Sequence, residues 1–261
     1  MSRRPDISHG ITGRQADTAR FPDGLNLSFY ALDEPERVLA ARTEACAALD
    51  LQIDHLVAPQ QIHGNQVALV GVADRGRGAF DRESALPETD AMITSEPGVV
   101  LFVSAADCVP LMFYDPKQKA IGIAHAGWRG TSGHVGVRAV RAMTEAFGTK
   151  AGDLRVGIGP SIGPCCYAVG DEVIQILGTS LGAIGGLVAE TGDGRLSIDL
   201  WQANAIDLVL AGVNPRNIEI SGICTACHLD AFFSHRAEHG RTGRFGAFIA
   251  LKNGAPSASG G

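Results

Sequence analysis

The sequence predicts an α+β protein, a mixed β-sheet sandwich with helices outside, and three observations lead to this prediction. Several short β-rich segments follow one another directly, so the chain lacks a regular β-α-β alternation. The apolar run at residues 99–103, Val-Val-Leu-Phe-Val, is typical of a strand buried on both faces. Helix-start signals occur at Asp33 and at Asp199. A chain of 261 residues is long enough for one large domain or two small ones.

Helices are expected in four segments. The sequence Asp33-Glu34-Pro35-Glu36 combines an N-cap, an early proline and a capping-box glutamate, and the helix it opens should run to about Leu49. Asp199 repeats this pattern, with Gln202 at the box position and a helix to about Ala211. Apolar residues on one face predict a helix over 135–147, and another is expected after Val169, to about Leu181.

Strands are expected in the β-rich segments between these helices. They cover residues 66–72, 99–104, 120–124, 154–158, 218–223 and 245–251. The last residues, 254–261, have low complexity and are expected to form a flexible tail.

The bulk composition argues against several classes of function. A net charge of -6 disfavours a nucleic-acid-binding surface. There is no run of 18 apolar residues to span a membrane and no apolar N-terminal stretch for a signal peptide, so a cytoplasmic protein is expected. In a reducing compartment, the six cysteines are expected to be thiols or metal ligands and not disulfides.

His63, Cys108 and His125 form the strongest candidate site. Each lies in a Gly-flanked or strand-terminal segment, where functional side chains accumulate, although each taken alone is also compatible with a packing role. Two imidazoles and one thiolate make a three-ligand set for Zn²⁺, which then keeps a fourth position for water. If the strands 99–104 and 120–124 are neighbours, Cys108 and His125 converge at one sheet edge.

The segment His125-Ala-Gly-Trp-Arg-Gly130 joins a strand to a helix through glycines, an arrangement that can bind an anion. Arg129 is the candidate anion-binding residue, and a tight turn with Arg129 on the surface is the alternative. The basic residues 235–244 before the last strand are either a solvated turn or a phosphate site. Tyr167, in the Gly-Pro-rich segment 157–167, could line a pocket or belong to a structural turn.

Cys224-Thr-Ala-Cys-His228 matches the Cys-x-x-Cys-His pattern of covalent haem attachment, but that pattern belongs to exported proteins. A structural zinc site would need a second ligand pair, for which His235 and His239 have suitable spacing. We expect Cys224 and Cys227 to be packing residues beside a pocket. The adjacent Cys165 and Cys166 are unsuited to a disulfide with each other.

Taken together, these motifs resemble the YfiH-like family, formerly described as laccase-domain or multicopper polyphenol oxidases and later as purine nucleoside phosphorylases. The matching segments are residues 8–10, 24–27, 61–64, 106–110, 125–131, 159–167, 224–225 and 232–244. The sequence departs from the family pattern at three places: Ala168 replaces a usual Glu, His235 a common Tyr, and Ala237-Glu238 an Arg-Asp pair.

The resemblance implies a single α/β/β/α-type domain, expected over residues 1–253, with one zinc ion held by His63, Cys108 and His125. It also implies phosphorolysis of adenosine, inosine, guanosine and methylthioadenosine, together with deamination of adenosine. We expect a purine nucleoside and phosphate as the binding partners. Asp107 is a candidate proton shuttle, or only orients its loop. Arg129, Arg244 and Tyr167 are candidate substrate-binding residues.

Two other enzyme classes use the same residues differently. In a cysteine hydrolase, Cys108 would be the nucleophile and His125 its base. A copper-dependent polyphenol oxidase is the other alternative, because a His₂Cys set also suits copper. The sequence contains no His-x-His pair and only eight histidines, which disfavours a multicopper cluster.

Overall fold

Two β-sheets lie face to face, and helices cover both outer faces, in the computed structural model of this single-domain protein. The structure describes residues 5–15, 19–31, 33–182, 185–190 and 194–252. These α/β/β/α layers confirm the fold class predicted from the sequence. The predicted tail at 254–261 lies outside the described residues. No helix in the described ranges is long and apolar enough to cross a membrane.

The described part of the chain contains five α-helices and twelve strands, besides short 3-10 turns and loops. The helices are Pro35–Ala48 (α1), Trp128–Ser132 (α2), Val135–Phe147 (α3), Asp171–Leu181 (α4) and Leu200–Leu210 (α5). The strands are Ile7–Ile11 (β1), Leu56–Val57 (β2), Val67–Leu69 (β3), Ala91–Thr94 (β4), Val100–Ala105 (β5), Val109–Asp115 (β6), Ala120–Ala126 (β7), Arg155–Ile158 (β8), Val188–Glu190 (β9), Leu196–Ile198 (β10), Ile218–Ile220 (β11) and Phe245–Leu251 (β12).

The strands form two mixed sheets and a small hairpin. The four-stranded sheet has the order β1-β12-β5-β2, and the six-stranded sheet has the order β11-β8-β6-β7-β4-β3. Strands β9 and β10 pair separately. Apolar side chains of β5 and β12 meet those of β6 and β7 between the sheets. Helix α1 packs on the outside of the first sheet, and α3 and α5 pack on the second.

The helix start predicted at Asp199 is confirmed, whereas the N-cap predicted at Asp33 lies one residue too early. Asp199 caps α5 as predicted, because its carboxylate accepts the Gln202 N–H at 3.0 Å. Asp33 was wrong as the cap of α1: Glu34 holds that position without a capping hydrogen bond. Proline at the first helical position places the cap on the residue directly before it. Helix α3 occupies the predicted residues.

Strand β6 is the main element that the sequence did not predict. Pro110 near its start argues against a central strand, since proline lacks the N–H that a ladder requires. In the structure the Pro110 carbonyl instead accepts the Gly159 N–H at 2.9 Å. The condition under which Cys108 and His125 would converge, that the strands 99–104 and 120–124 are sheet neighbours, is not met. Strand β5 lies in the four-stranded sheet and β7 in the six-stranded sheet, where β6 is its partner.

A glycine on β12 makes the packing beneath α1 sensitive to one added methyl group. A Cβ at Gly246 would lie 2.6 Å from the Phe102 ring and 2.7 Å from Leu27. Gly246→Ala should therefore lower the free energy of unfolding by about 1–3 kcal/mol, as overpacked cores do. Denaturant unfolding measures this change. Gly152→Ala is the control, because only a carbonyl oxygen at 3.8 Å faces its Cβ; equal stability of the two variants would contradict the prediction.

Candidate metal centre

Antiparallel pairing of β6 and β7 brings Cys108 next to His125. Pro110 is the register partner of His125 and Val109 that of Ala126, so Cys108, one residue before β6, lies beside the end of β7. His63 reaches the same point from the loop before β3. The ligand atoms of His63, Cys108 and His125 all lie within 4.8 Å of one another. The structure therefore gathers the three residues that the sequence singled out.

Asp90 is the residue that organises this site, and sequence reasoning missed it. Its fully buried carboxylate accepts a hydrogen bond from His125 Nδ1 at 2.9 Å. The same carboxylate accepts the backbone N–H groups of the loop that carries His63, at Ile62, His63 and Gly64, over 2.7–3.2 Å. One side chain thus fixes the ring of His125 and the loop of His63. An aspartate at the start of a strand with no motif around it gives no sequence signal for this role.

The loop of His63 has an unusual backbone conformation that aims its side chain. His63 has φ 61°, in the left-handed region that side chains other than glycine rarely adopt. Its ring meets that of His125 edge-on, with centroids 4.9 Å apart. Gly127 leaves the space that these groups occupy, since a Cβ there would lie 2.9 Å from Cys108 Sγ and 3.3 Å from the His63 ring. A residue with a side chain at position 127 would therefore collide with Cys108 and crowd His63.

The electrostatics of the site favour a thiolate beside a protonated imidazole when no cation is bound. Burial opposes ionisation of Cys108, but the charge and hydrogen bonds of His125 and His63 lower its pKa to about 6. Burial likewise opposes protonation of His125, and the Cys108 thiolate and Asp90 raise its pKa to about 9. Burial also disfavours the charge on Asp90, yet His125 and the loop N–H groups keep its pKa below the ordinary value. The thiolate is the form of cysteine that binds metals.

These residues fit a transition metal. In this His₂Cys set His125 is buried, Cys108 is half-buried and His63 is exposed. The ligand types, and the carboxylate that orients one imidazole, are those found at zinc centres. All three residues line a cleft of about 440 Å³, a size suited to a small molecule. A metal ion held by three protein groups would keep a further position for water or substrate.

The cleft is lined by arginines and aromatic rings. Its lining includes Tyr30, Gln61, Trp128, Arg129, Tyr167, His235, Arg236 and Arg244 besides the three ligands. The predicted residues Arg129, Arg244 and Tyr167 all lie there. Sequence reasoning did not assign Tyr30, Gln61 or Trp128 to the site. Gln61 ties its loop to the end of β5, because its amide exchanges hydrogen bonds with the backbone of Ser104 at 2.8 and 2.9 Å.

Arg129 lies in the short helix α2, in the segment where the sequence predicted a glycine-containing loop. Helix α2 begins at Trp128 directly after Gly127, and the exposed Arg129 guanidinium lies 4.2 Å over the Trp128 ring. Among the described residues, the ion pairs do not include Arg129, Arg236 or Arg244. These three cations therefore present their charge to the cleft without a carboxylate partner.

Arg244 and Tyr167 are less exposed than Arg129. The Arg244 guanidinium donates to the carbonyls of Thr242 and Gly243 at 2.9 and 2.8 Å, and burial lowers its pKa. Tyr167 is half-buried, and burial followed by the negative charge of Cys108 raises its pKa, so its hydroxyl stays protonated. The Arg236 guanidinium lies 5.2 Å from the Tyr167 ring centre.

Asp107 links the metal centre to two other loops. One of its carboxylate oxygens accepts a hydrogen bond from the Thr225 hydroxyl at 2.6 Å, and the other accepts one from the backbone N–H of Arg236 at 2.7 Å. Its backbone has φ 86°, immediately before Cys108. These bonds fix the orientation of the turn that carries Cys108. The proton-shuttle role of Asp107 stays a prediction.

Asp90→Asn should weaken zinc binding about 10–100-fold, as loss of a carboxylate behind a metal-binding histidine does. The amide cannot accept from all four donors that the carboxylate now serves, so His125 and the His63 loop lose their fixed orientation. Competition with a chromophoric chelator measures the affinity. Asp115→Asn is the control, because Asp115 is also buried and accepts backbone N–H groups at the opposite end of β6. Equal zinc affinity of both variants would contradict the role of Asp90.

The fold and the site define a single-domain α/β/β/α protein with a candidate three-ligand metal centre in an arginine-lined cleft. The chain belongs to the YfiH-like, laccase-domain family. The sequence model of this family, described as "Multi-copper polyphenol oxidoreductase laccase", matches residues 8–252. The resemblance seen in the sequence motifs is thereby confirmed.

Several relatives carry enzyme names. The chain is 38% identical over 245 residues to "Purine nucleoside phosphorylase YlmD" of Geobacillus stearothermophilus, covering 93% of this chain and 89% of the relative. It is 35% identical to "Adenosine deaminase RL5" from an unknown prokaryotic organism, covering 86% of each. The crystal structure of the Geobacillus YlmD superposes with a TM-score of 0.90 over 95% of this chain and 93% of that one, at 36% identity.

Proposed function

We propose that the protein is a zinc-dependent purine nucleoside phosphorylase that also deaminates adenosine. The observation that carries the proposal is the convergence of His63, Cys108 and His125 in a cleft that also holds three arginines, none of them paired with a carboxylate of the described residues. Such a cleft suits a small substrate together with an anion. The enzyme names of the relatives support purine nucleosides as the substrate class. Adenosine, inosine, guanosine and methylthioadenosine are the candidates that the family resemblance implies.

Zn²⁺ held by these three residues would supply a Lewis acid with an open position beside the cleft. The other steps fall to the side chains around it. In phosphorolysis a phosphate oxygen bonds to C1′ of the ribose, the C1′–N9 bond breaks, and the bonding electrons leave with the base, which takes up a proton. The products are the free base and ribose 1-phosphate.

Arg129 is our candidate for holding the phosphate, with Arg244 as the second. Arg129 is exposed and forms no ion pair within the described part of the chain, so its guanidinium can make a bidentate contact with an oxyanion. The Tyr167 hydroxyl, kept protonated, can donate a hydrogen bond within the same cleft. Asp107 adjoins Cys108 and lines the cleft, which keeps it as the candidate for proton transfer.

A cysteine hydrolase is the second candidate, because a lowered Cys108 pKa beside His125 is also the arrangement of a nucleophile and its base. Two observations favour the metal enzyme over it. His63 adds a third ligand atom that a cysteine dyad does not require, and a single Asp90 carboxylate orients both histidine-bearing segments. The copper alternative is disfavoured by the metal-ligand groups of the described residues. These groups are this His₂Cys set and a group of four cysteines, and neither is a histidine-rich multicopper cluster.

Chromatographic analysis of the products from adenosine tests the proposal. Zinc-loaded protein should release adenine only when phosphate is present, and should form inosine with or without phosphate. Both products should be lost in His125→Ala. No product from the zinc-loaded protein with any of the four nucleosides would overturn the assignment and favour the cysteine hydrolase.

A further inference from the structure

A second cluster of metal-binding residues lies outside the candidate active site. Cys165, Cys166, Cys224 and Cys227 place their sulfur atoms within 4.8 Å of one another. The structure joins Cys224 and Cys227 to Cys165 and Cys166, and not to His235 and His239, the pair that the sequence left open. The packing role expected for Cys224 and Cys227 is the alternative to the proposal made below.

Strand pairing explains why these cysteines meet. Strands β8 and β11 are parallel neighbours, so the loops that follow them leave the same edge of the sheet and run side by side. The pairing continues into the loops: the Ser161 N–H donates to the Ile223 carbonyl at 3.2 Å, and the Thr225 N–H donates to the Ser161 carbonyl at 3.1 Å. The two cysteine pairs follow within a few residues.

The sulfur geometry fits a single tetrahedral ion. Cys227 Sγ lies 3.6 Å from Cys165 Sγ and 3.4 Å from Cys166 Sγ. Zn–S bonds of about 2.3 Å place the sulfur atoms of a tetrahedron about 3.8 Å apart. A disulfide instead requires about 2.05 Å, and all four residues are free thiols in this structure. A spread of at most 4.8 Å leaves room for one ion at the centre.

The surroundings of the cluster match those of structural zinc sites. The Gly163 N–H donates to Cys224 Sγ at 3.2 Å, the kind of bond that stabilises a metal-bound thiolate. The turn at Cys224 is closed by the Cys227 N–H donating to the Cys224 carbonyl at 3.2 Å. Four sulfur atoms at this spacing are suited to enclosing one metal ion.

We propose that Cys165, Cys166, Cys224 and Cys227 bind a structural Zn²⁺ ion that clamps the two loops following β8 and β11. Four protein ligands close the coordination shell, so this ion has no open position for chemistry. Binding releases the thiol protons and involves no change of oxidation state. The clamp acts close to the active-site cleft, because Tyr167 follows Cys166 and Thr225, which donates to Asp107, follows Cys224.

Metal counting on the purified holoprotein tests the proposal without any activity measurement. Wild type should contain about two zinc ions per chain, and Cys227→Ser and Cys108→Ala should each contain about one. The double variant should contain almost none. Cobalt-substituted Cys108→Ala should retain strong thiolate-to-metal charge-transfer absorption, since only the four-cysteine site remains in it. Cys46→Ser is the control, because Cys46 is buried in α1 among apolar side chains.

Hydrogen exchange tests the clamp itself. Peptides covering residues 163–168 and 223–228 should exchange faster in Cys227→Ser than in wild type, whereas α3 should be unchanged. If that variant does not fold, Cys165→Ser, at an exposed position, takes its place. A zinc content near zero in Cys108→Ala, or a disulfide between Cys227 and Cys165 or Cys166 in non-reducing peptide mass spectrometry, would overturn the proposal. Failure of the nucleoside assays would leave these readouts unaffected.

Discussion

Cys108→Ala should abolish both phosphate-dependent release of purine base and deamination of adenosine, with rates falling at least about 1,000-fold. Cys108 contributes the thiolate of the His₂Cys set, and two imidazoles alone hold Zn²⁺ far less well. The zinc content of the active site should fall with the activity. Product chromatography and metal analysis of the same preparation measure both quantities.

Cys46→Ala is the matched control for Cys108→Ala. Cys46 is a buried thiol in α1, and burial raises its pKa to about 11, which makes it a packing residue. This variant should keep its zinc and its activity. If Cys108→Ala retained wild-type zinc content and turnover, Cys108 would be neither ligand nor nucleophile, and the proposed site would be wrong.

Arg129→Ala should lower kcat/KM for phosphorolysis about 100-fold, the order expected when one donor to a reacting oxyanion is removed. Its KM for phosphate should rise. Deamination consumes no phosphate, so the rate of inosine formation should change far less. Comparing the two reactions in one variant separates phosphate binding from damage to the site as a whole.

Arg129→Lys and Arg138→Ala complete this test. Lysine keeps the charge but loses the bidentate fork, so it should restore only part of the phosphorolysis. Arg138 is an exposed arginine on α3 outside the cleft, and its loss should change neither reaction. Equal losses of phosphorolysis and deamination in Arg129→Ala would show that Arg129 shapes the cleft and does not hold phosphate.

The parts of this molecule that could be predicted from the sequence depend on local signals. Helix α3 shows its period in its own residues, and Asp199 carries its cap signal within one turn. The buried run in β5 is visible as uninterrupted apolar residues. The three metal-binding candidates were found because each lies in a short motif with glycine or at a strand end.

The parts that could not be predicted depend on contacts between distant segments. The pairing of β6 with β7 places Cys108 beside His125. The sequence did not predict this pairing, because Pro110 argues against a central strand at β6. Asp90 acts through hydrogen bonds to residues 26 to 35 positions away, and nothing in its own neighbourhood marks it. The four cysteines meet only because β8 and β11 are parallel neighbours. Pairing between strands is a property of the whole fold.

Zinc titration of the metal-stripped protein tests the central proposal most directly, with the initial rate of phosphate-dependent adenine release as the readout. The proposal predicts that activity returns in proportion to zinc bound at His63, Cys108 and His125, that His125→Ala regains none, and that Cu²⁺ does not substitute. Full activity in stripped protein, lost only when the Cys108 thiol is alkylated, would contradict it and identify Cys108 as a nucleophile.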